Sequence, residues 1–171
     1  QQLFFSLFSY CLKMNKHALV FRIAKEDMDL KDKKMLFLQY ASSLTFDLCF
    51  QGFDAELQHM SVQYNQPNGA ILLVNLGKEP VACVAIRKLE YEIAELKRMY
   101  VKPSCRGRGI GHLLLQKIID IARDLQYRRI RLDTLSHMEV ACHLYAQYGF
   151  YKIPAYCFNP IDNALYMEKQ L

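Results

Sequence analysis

The chain has 171 residues, a formal net charge of +5, 52% hydrophobic residues and 23% charged residues. That length makes one domain with a sizeable core, and the composition excludes disordered, fibrous and disulfide-dense classes. No apolar run reaches the ~18–20 residues of a membrane helix. The mild positive charge suits an anionic ligand but lacks the long Lys/Arg block of a nucleic-acid-binding arm, and the densest basic cluster, Arg128, Arg129 and Arg131, reads as a solvated strand end.

The six cysteines, Cys11, Cys49, Cys83, Cys105, Cys142 and Cys157, form no Cys-x-x-Cys pair. A zinc ribbon or thioredoxin-like site is therefore not expected, nor any other metal centre. Several lie in apolar stretches as small buried thiols, which points to a reducing compartment and a cytoplasmic location. Leu3 to Leu12 is apolar over the length of a signal peptide, yet it lacks a basic leader and a small-residue cleavage site. The chain begins with Gln, and Met14 opens a segment that reads as a natural start. Residues 1–13 are expected to be an N-terminal extension, a tail or upstream artefact, and residues 14–171 a single domain.

In chain order, Ala18–Ile23 reads as a strand and Asp27–Ser43 as a helix with apolar positions at Leu30, Met35, Leu36, Leu38 and Tyr40. Phe46–Met60 reads as a shorter helix interrupted near Gly52, and Asn65–Gly69 as a turn. Ala70–Leu76 and Val81–Leu89 form a hairpin across a turn at Gly77–Pro80. Ile93–Val101 follows as a strand. Strict alternation puts Glu95 and Lys97 on one face with Ile93, Met99 and Val101, and Ala94, Leu96, Arg98 and Tyr100 on the other. Charges on an apparently central strand need a reason.

Pro103 and Ser104 stop that strand, and a glycine-rich loop, Arg106–Gly111, leads into the clearest helix of the chain, Gly111–Gln126. Its stripe is Leu114, Ile118, Ile121, Ala122 and Leu125. Arg129–Asp133 is the next strand, Met138–Tyr148 a helix stopped by Gly149, and Phe150–Ala155 and Ala164–Lys169 the closing strands. The strand–loop–helix–strand unit over 93–133 implies a parallel crossover, and the hairpins elsewhere imply a mixed sheet.

The loop Arg106-Gly107-Arg108-Gly109-Ile110-Gly111 carries the chemistry. Glycines allow positive φ and close approach of a ligand, successive amides at a helix start bind anionic oxygens, and two arginines add charge. A pyrophosphate is the natural guest. A P-loop is excluded because no Gly-Lys-Ser/Thr follows. A dinucleotide fingerprint fits Gly107, Gly109 and an acid at Asp133, but its third glycine falls on His112, and Lys102–Cys105 separates strand from loop.

Arg106-x-x-Gly109-x-Gly111 resembles the Gln/Arg-x-x-Gly-x-Gly/Ala signature of the GNAT superfamily of N-acetyltransferases. A second motif, Leu144-Tyr145-Ala146-Gln147-Tyr148-Gly149-Phe150, is similar to the Leu-Tyr-x-x-x-Gly-Phe run that ends the family's next helix. The resemblance covers roughly residues 70–156, and finer matches at Glu95–Val101, Arg131–Leu135 and Tyr156–Pro160 look like a subgroup of small members without an assigned substrate. It implies an α/β (α+β) fold with a central, mixed, mostly antiparallel sheet, a splayed parallel pair and helices on both faces. It also implies an acetyl-CoA-dependent N-acetyltransferase acting directly, in a ternary complex, on a primary amine of a small molecule or peptide. The charge and hydropathy patterns above add the expectation of no nucleic-acid or membrane partner, and a homodimer stays open.

Carried onto this sequence, the resemblance puts Met99, Tyr100 and Val101 against the pantetheine arm. Arg106, Gly107, Arg108, Gly109, Ile110 and Gly111 surround the pyrophosphate, with His112 in the first helical turn. Chemistry adds two roles. An amine with a pKa of ~10.4 must lose a proton before it attacks, and the expelled thiolate, of thiol pKa ~8.5, benefits from a donor. Tyr145 matches the family's proton-donating tyrosine. Glu95 is the candidate base, directly or through water, and the competing reading makes it an ion-pair partner of Lys97 or Arg98. Arg87 and Arg98 are candidates for recognising a substrate carboxylate. Many family members carry Asn where this chain has Met138, so Asp133, Thr134 or Ser136 is expected to replace that contact. A non-catalytic acyl-CoA-binding module and a dinucleotide-dependent oxidoreductase remain as alternatives.

Overall fold

β-Hairpins build the first half of the molecule and one helical crossover joins on the second. The computed structural model describes residues 12–14, 17–25 and 29–171. The elements are β1 (Leu12–Met14), β2 (His17–Ile23), α1 (Leu30–Ser42), α2 (Phe53–Gln58), α3 (Met60–Gln63), β3 (Ala70–Leu76), β4 (Glu79–Glu90), β5 (Ile93–Val101), α4 (Ile110–Asp124), β6 (Arg129–Leu135), α5 (Glu139–Gln147), β7 (Tyr151–Ile153) and β8 (Ala164–Gln170). The sheet runs β1-β2-β3-β4-β5-β6-β8-β7. Every neighbouring pair is antiparallel except β5 and β6. This is the mixed, mostly antiparallel sheet expected, and not the parallel sheet of a dinucleotide fold. The extension expected over residues 1–13 lies outside the described residues as far as residue 11, and Leu12 and Lys13 belong to β1.

Each face of the sheet has its own core. α4 covers one face with Ile110, Leu114, Leu115, Ile118, Ile119 and Ala122, packed on β3, β4 and β5. Leu115 and Ile119 widen the stripe read from the sequence, while Ile121 and Leu125 sit at its partly buried margin. The other face takes Leu36 and Phe37 of α1, Phe53 of α2 and Met60 of α3 against Leu73, Cys83, Ala85 and Tyr100. Gly52, at φ +67, breaks the chain between a short 3-10 turn and α2, as its position in the sequence suggested.

Three expectations are corrected. Pro80 belongs to β4 and not to the turn, because Leu76 already pairs with Glu79 and leaves Gly77 and Lys78 alone to reverse the chain. β7 is shorter than the strand read over Phe150–Ala155, covering Tyr151–Ile153.

The third correction matters most. Between the pairs Ala85↔Lys97 and Cys83↔Tyr100, β4 advances two residues and β5 three. The extra residue makes a β-bulge at Arg98, whose φ is +55. A one-residue insertion reverses side-chain parity beyond it. Ala94 and Leu96 face the α4 core, and so do Met99 and Val101, while Tyr100 turns to the α1 face. Strict alternation had placed Met99, Val101 and Tyr100 on the opposite sides.

Candidate active site

β5 and β6 part company soon after they meet. Their register ends at Glu95↔Arg131, although β5 continues to Val101 and β6 to Leu135. From Lys97 onward β5 therefore has an edge without a partner strand, and a cavity of about 70 Å³ opens in the splay. Lys97, Arg98 and Met99 form one wall, and Asp133, Thr134 and Leu135 the other. Ala141 and Tyr145 of α5 complete the lining together with Tyr40, Phe46 and Gln51.

At the mouth beyond Val101, Pro103–Cys105 make a 3-10 turn and the glycine loop follows. Gly107 and Gly109 have φ of +72 and +74, with open space where a Cβ would stand. Backbone conformation, and not packing, selects glycine at both positions. Gly111 differs: an added Cβ would make ordinary contacts of 3.5 Å to Leu144 and 3.8 Å to Met99. The N-terminus of α4 has no side-chain cap, so its first amides point outward unsatisfied by the helix. Arg106, Arg108 and His112 are exposed around them. The Arg106 Nε donates to the Val101 carbonyl at 3.0 Å, which ties the loop to the end of β5. Outward amides, two guanidiniums and the helix dipole form a donor set that fits a pyrophosphate, and the apolar walls at Met99, Leu135 and Ala141 fit an uncharged arm. The residues present therefore suit acetyl-CoA. The Tyr100 side chain is packed edge-on to Tyr40 and leaves only its backbone on the strand edge.

Tyr145 is buried, with its hydroxyl 3.7 Å from the Met99 sulfur. Burial, with smaller contributions from Tyr40 and Asp133, pushes its phenol above the usual tyrosine range, so it stays protonated near neutral pH. Asp133 and Thr134 line the cleft beside Met138, whose sulfur receives the Thr134 hydroxyl at 3.8 Å. Ser136, the third expected replacement for the family's Asn, is exposed and lies off the lining.

The charges on β5 have their reason in a buried network. The Arg98 Nε donates to Glu56 at 2.9 Å, its Nη2 also pairs with Glu56, and its Nη1 donates to Gln51 at 2.8 Å. Its guanidinium lies over the Phe53 and Tyr40 rings. Burial works to raise the Glu56 carboxyl, but the Arg98 hydrogen bonds and charge and the Tyr64 hydroxyl outweigh it and hold it below the ordinary 4.5. Arg87 grips Glu95 through Nε at 2.9 Å and Nη2 at 2.8 Å, and donates to Gln63 at 2.8 Å. Both arginines are committed to partners inside the protein, which corrects the expectation that they recognise a substrate carboxylate. Neither is the solvated residue its charge implies.

Glu95 is 2% exposed and lies behind the cleft wall, outside its lining. Its second oxygen meets the Tyr156 hydroxyl at 3.2 Å and the Lys97 ammonium at 3.6 Å. Lys97 in turn reaches Asp133 at 3.2 Å. Asp133 also accepts from Gln51 at 3.2 Å and Asn159 at 3.0 Å. Ligand atoms of Glu95, Asp133 and Cys157 lie within 4.8 Å of one another, and the cation set against both carboxylates is the chain's own Lys97. Burial and the neighbouring carboxylates push the Cys157 thiol up to about 11. Sequence reading marked Tyr145 and the loop, but it missed Glu56, Gln63 and Tyr64, and it gave Asp133 no part at the acceptor end. The unexplained charges of β5 were the signal that polar partners had to converge there.

A partly opened parallel pair in a mostly antiparallel sheet, with anion-binding amides at one end and a buried phenol beside the gap, defines an acyl-transfer fold. A family model described as Acetyltransferase (GNAT) family matches residues 38–150. An uncharacterised N-acetyltransferase of Schizosaccharomyces pombe is 37% identical over 150 residues, 86% of this chain and 91% of that protein. An acetyltransferase from Streptococcus agalactiae shares the fold with a TM-score of 0.73 at 18% identity, over 90% of this chain and 98% of that one. The protein yncA of Salmonella typhimurium, solved with its cofactor acetyl-CoA, does so with a TM-score of 0.63 at 16% identity, over 89% of this chain and 93% of that one. The chain belongs to the GNAT family of acetyltransferases. No helix among the described residues is long and apolar enough to cross a membrane.

Proposed function

We propose that the protein transfers an acetyl group from acetyl-CoA to a primary amine of a small molecule or peptide, directly and in a ternary complex, in the cytoplasm. The observation that carries this reading is the unpaired stretch of β5 beside β6, with Tyr145 at its wall and the uncapped start of α4 at its mouth. Acetyl-CoA, when bound, supplies a thioester whose acyl carbon an amine can attack.

In this reading the amides of residues 107–111, with Arg106, Arg108 and His112, hold the pyrophosphate, and the free edge of Met99, Tyr100 and Val101 holds the pantetheine arm. Backbone N–H on that edge stabilises the carbonyl oxygen as negative charge develops on it. The neutral Tyr145 hydroxyl gives its proton to the leaving sulfur. Glu95, expected as the base, acts through the network of Lys97 and Asp133 and not by touching the amine, since its oxygens are held by Arg87, Lys97 and Tyr156.

Calorimetric titration with acetyl-CoA, with NADH and NADPH alongside, tests the reading. Saturable acetyl-CoA binding that weakens at least about tenfold in Arg106→Ala is the expected result, in line with the loss of one charged phosphate contact. Binding of the nicotinamide cofactors alone would overturn it.

A further inference from the structure

The acceptor end of the cleft has a charge pattern that selects its substrate. Among the described residues Asp133 is the only carboxylate that lines the cavity, against two cations, Lys97 and Arg98. Arg98 is spoken for: Glu56 and Gln51 take its Nε, Nη1 and Nη2 in short contacts. Lys97 is held more loosely, and so is the Asp133 oxygen that faces it, while the other Asp133 oxygen accepts from Gln51 and Asn159. Lys97 meets Asp133 at 3.2 Å and Glu95 at 3.6 Å, both longer than the ~2.7–2.9 Å of a tight charge-assisted bond. The side chains are only 5% and 7% exposed, so a mismatched charge beside them is poorly screened.

A primary amine arrives as an ammonium, and among the described lining residues Asp133 is the negative charge that can receive it. A bare cation inserted there takes Asp133 from Lys97 and sets two positive charges side by side, with Arg98 close behind. An acceptor that brings its own carboxylate restores alternation along the line: Glu95 negative, Lys97 positive, carboxylate negative, ammonium positive, Asp133 negative. The present cavity of about 70 Å³ suits a compact molecule, and Tyr40, Phe46 and Leu48 offer an apolar wall to a short side chain.

We infer that the acceptor is a compact amino-acid-like zwitterion, its ammonium on Asp133 and its carboxylate on Lys97. The inference rests on the acetyl-transfer reading above. The acceptor nitrogen bonds to the acyl carbon as the carbon–sulfur bond breaks. Of the two protons the nitrogen gives up, one passes to Asp133 and on to solvent. The other is balanced by the proton that the sulfur receives through Tyr145. Asp133 touches the substrate and is the catalytic carboxylate. Glu95 is a positioning residue that steadies Lys97.

Thiol release from acetyl-CoA, measured with matched acceptor triplets, tests this: alanine, alaninamide and ethylamine, then leucine, leucinamide and 3-methylbutylamine. The free amino acids are expected to be acetylated. Their amides and decarboxylated amines should fall on the order of 100-fold in kcat/KM, a penalty typical of an unpaired buried charge. In Lys97→Met the three members of each triplet should converge, while acetyl-CoA titration shows the cofactor end intact. Equal use of all three by the unmodified protein overturns the inference, as does acetyl-CoA binding with no free amino acid acetylated. Failure of the unmodified protein to bind acetyl-CoA removes the acetyl-transfer reading itself and this inference with it.

Discussion

The two ends of the splayed cleft are built on opposite plans. The mouth at Arg106–Gly109 is exposed, local in sequence and made of backbone amides with charges in solvent. The inner end is buried, non-local and made of side chains: Gln51 and Asp133, 82 residues apart in the chain, meet there with Lys97 and Asn159. Under the proposed function one end binds through groups every sequence possesses, so it needs only glycines to set φ and arginines to add charge. The other must desolvate and pair each charged group, which makes its residues far less interchangeable.

That contrast predicts a hierarchy of effects. Glu56→Ala should be the most damaging, because it leaves the Arg98 guanidinium, 2% exposed, without its partner. A loss of about 3–5 kcal/mol is expected in urea unfolding. The same pair sets an acid limb. The Glu56 carboxyl is held below its ordinary 4.5 in the folded chain, so its stabilisation is complete above that value and is lost as pH falls through the folded one. In Glu56→Gln that part of the stability–pH profile should flatten. An unchanged profile would show that the inner end is no more demanding than the mouth.

Tyr145→Phe comes next. Among the described residues its hydroxyl meets only a thioether, at 3.7 Å, so folding should be little affected. Turnover should fall about 100-fold in kcat, roughly 2.7 kcal/mol, with acetyl-CoA binding retained. An undiminished kcat would favour a non-catalytic acyl-CoA-binding module. The smallest effect belongs to the mouth. Gly109→Ala, at φ +74 in open space, should cost about 1 kcal/mol of stability and weaken acetyl-CoA binding without changing the choice of acceptor.

The contrast also explains what the sequence could reveal. Gly107, Gly109 and Gly149 each hold positive φ, and α4 repeats its apolar stripe over four turns, so the loop, both motifs and the sheet class were readable from neighbouring residues. β5 was readable as a strand but not in its facing. The bulge at Arg98 depends on the register with β4, and a period-two pattern carries no mark of an inserted residue. Glu95 could be read either as a base or as an ion-pair partner of Lys97 or Arg98, because Arg87 reaches it across the β4–β5 hairpin and Tyr156 from 61 residues away. The Glu56–Arg98 pair spans 42 residues, and neither residue's local pattern announces the other.

The early parting of β5 and β6 has a consequence for how the protein tolerates change. Three register pairs join the two halves of the sheet, and from Lys97 on β5 keeps an unpaired ladder edge in the middle of the sheet. An extended ligand with amides of its own can dock on that edge as a guest strand, recognised by peptide groups and not by side chains. Recognition of that kind is indifferent to most substitutions between residues 97 and 101. Under the proposed function, side chains of the inner cleft can therefore change only in matched sets, and with them the choice of acceptor, while the hold on the shared donor stays written in the main chain.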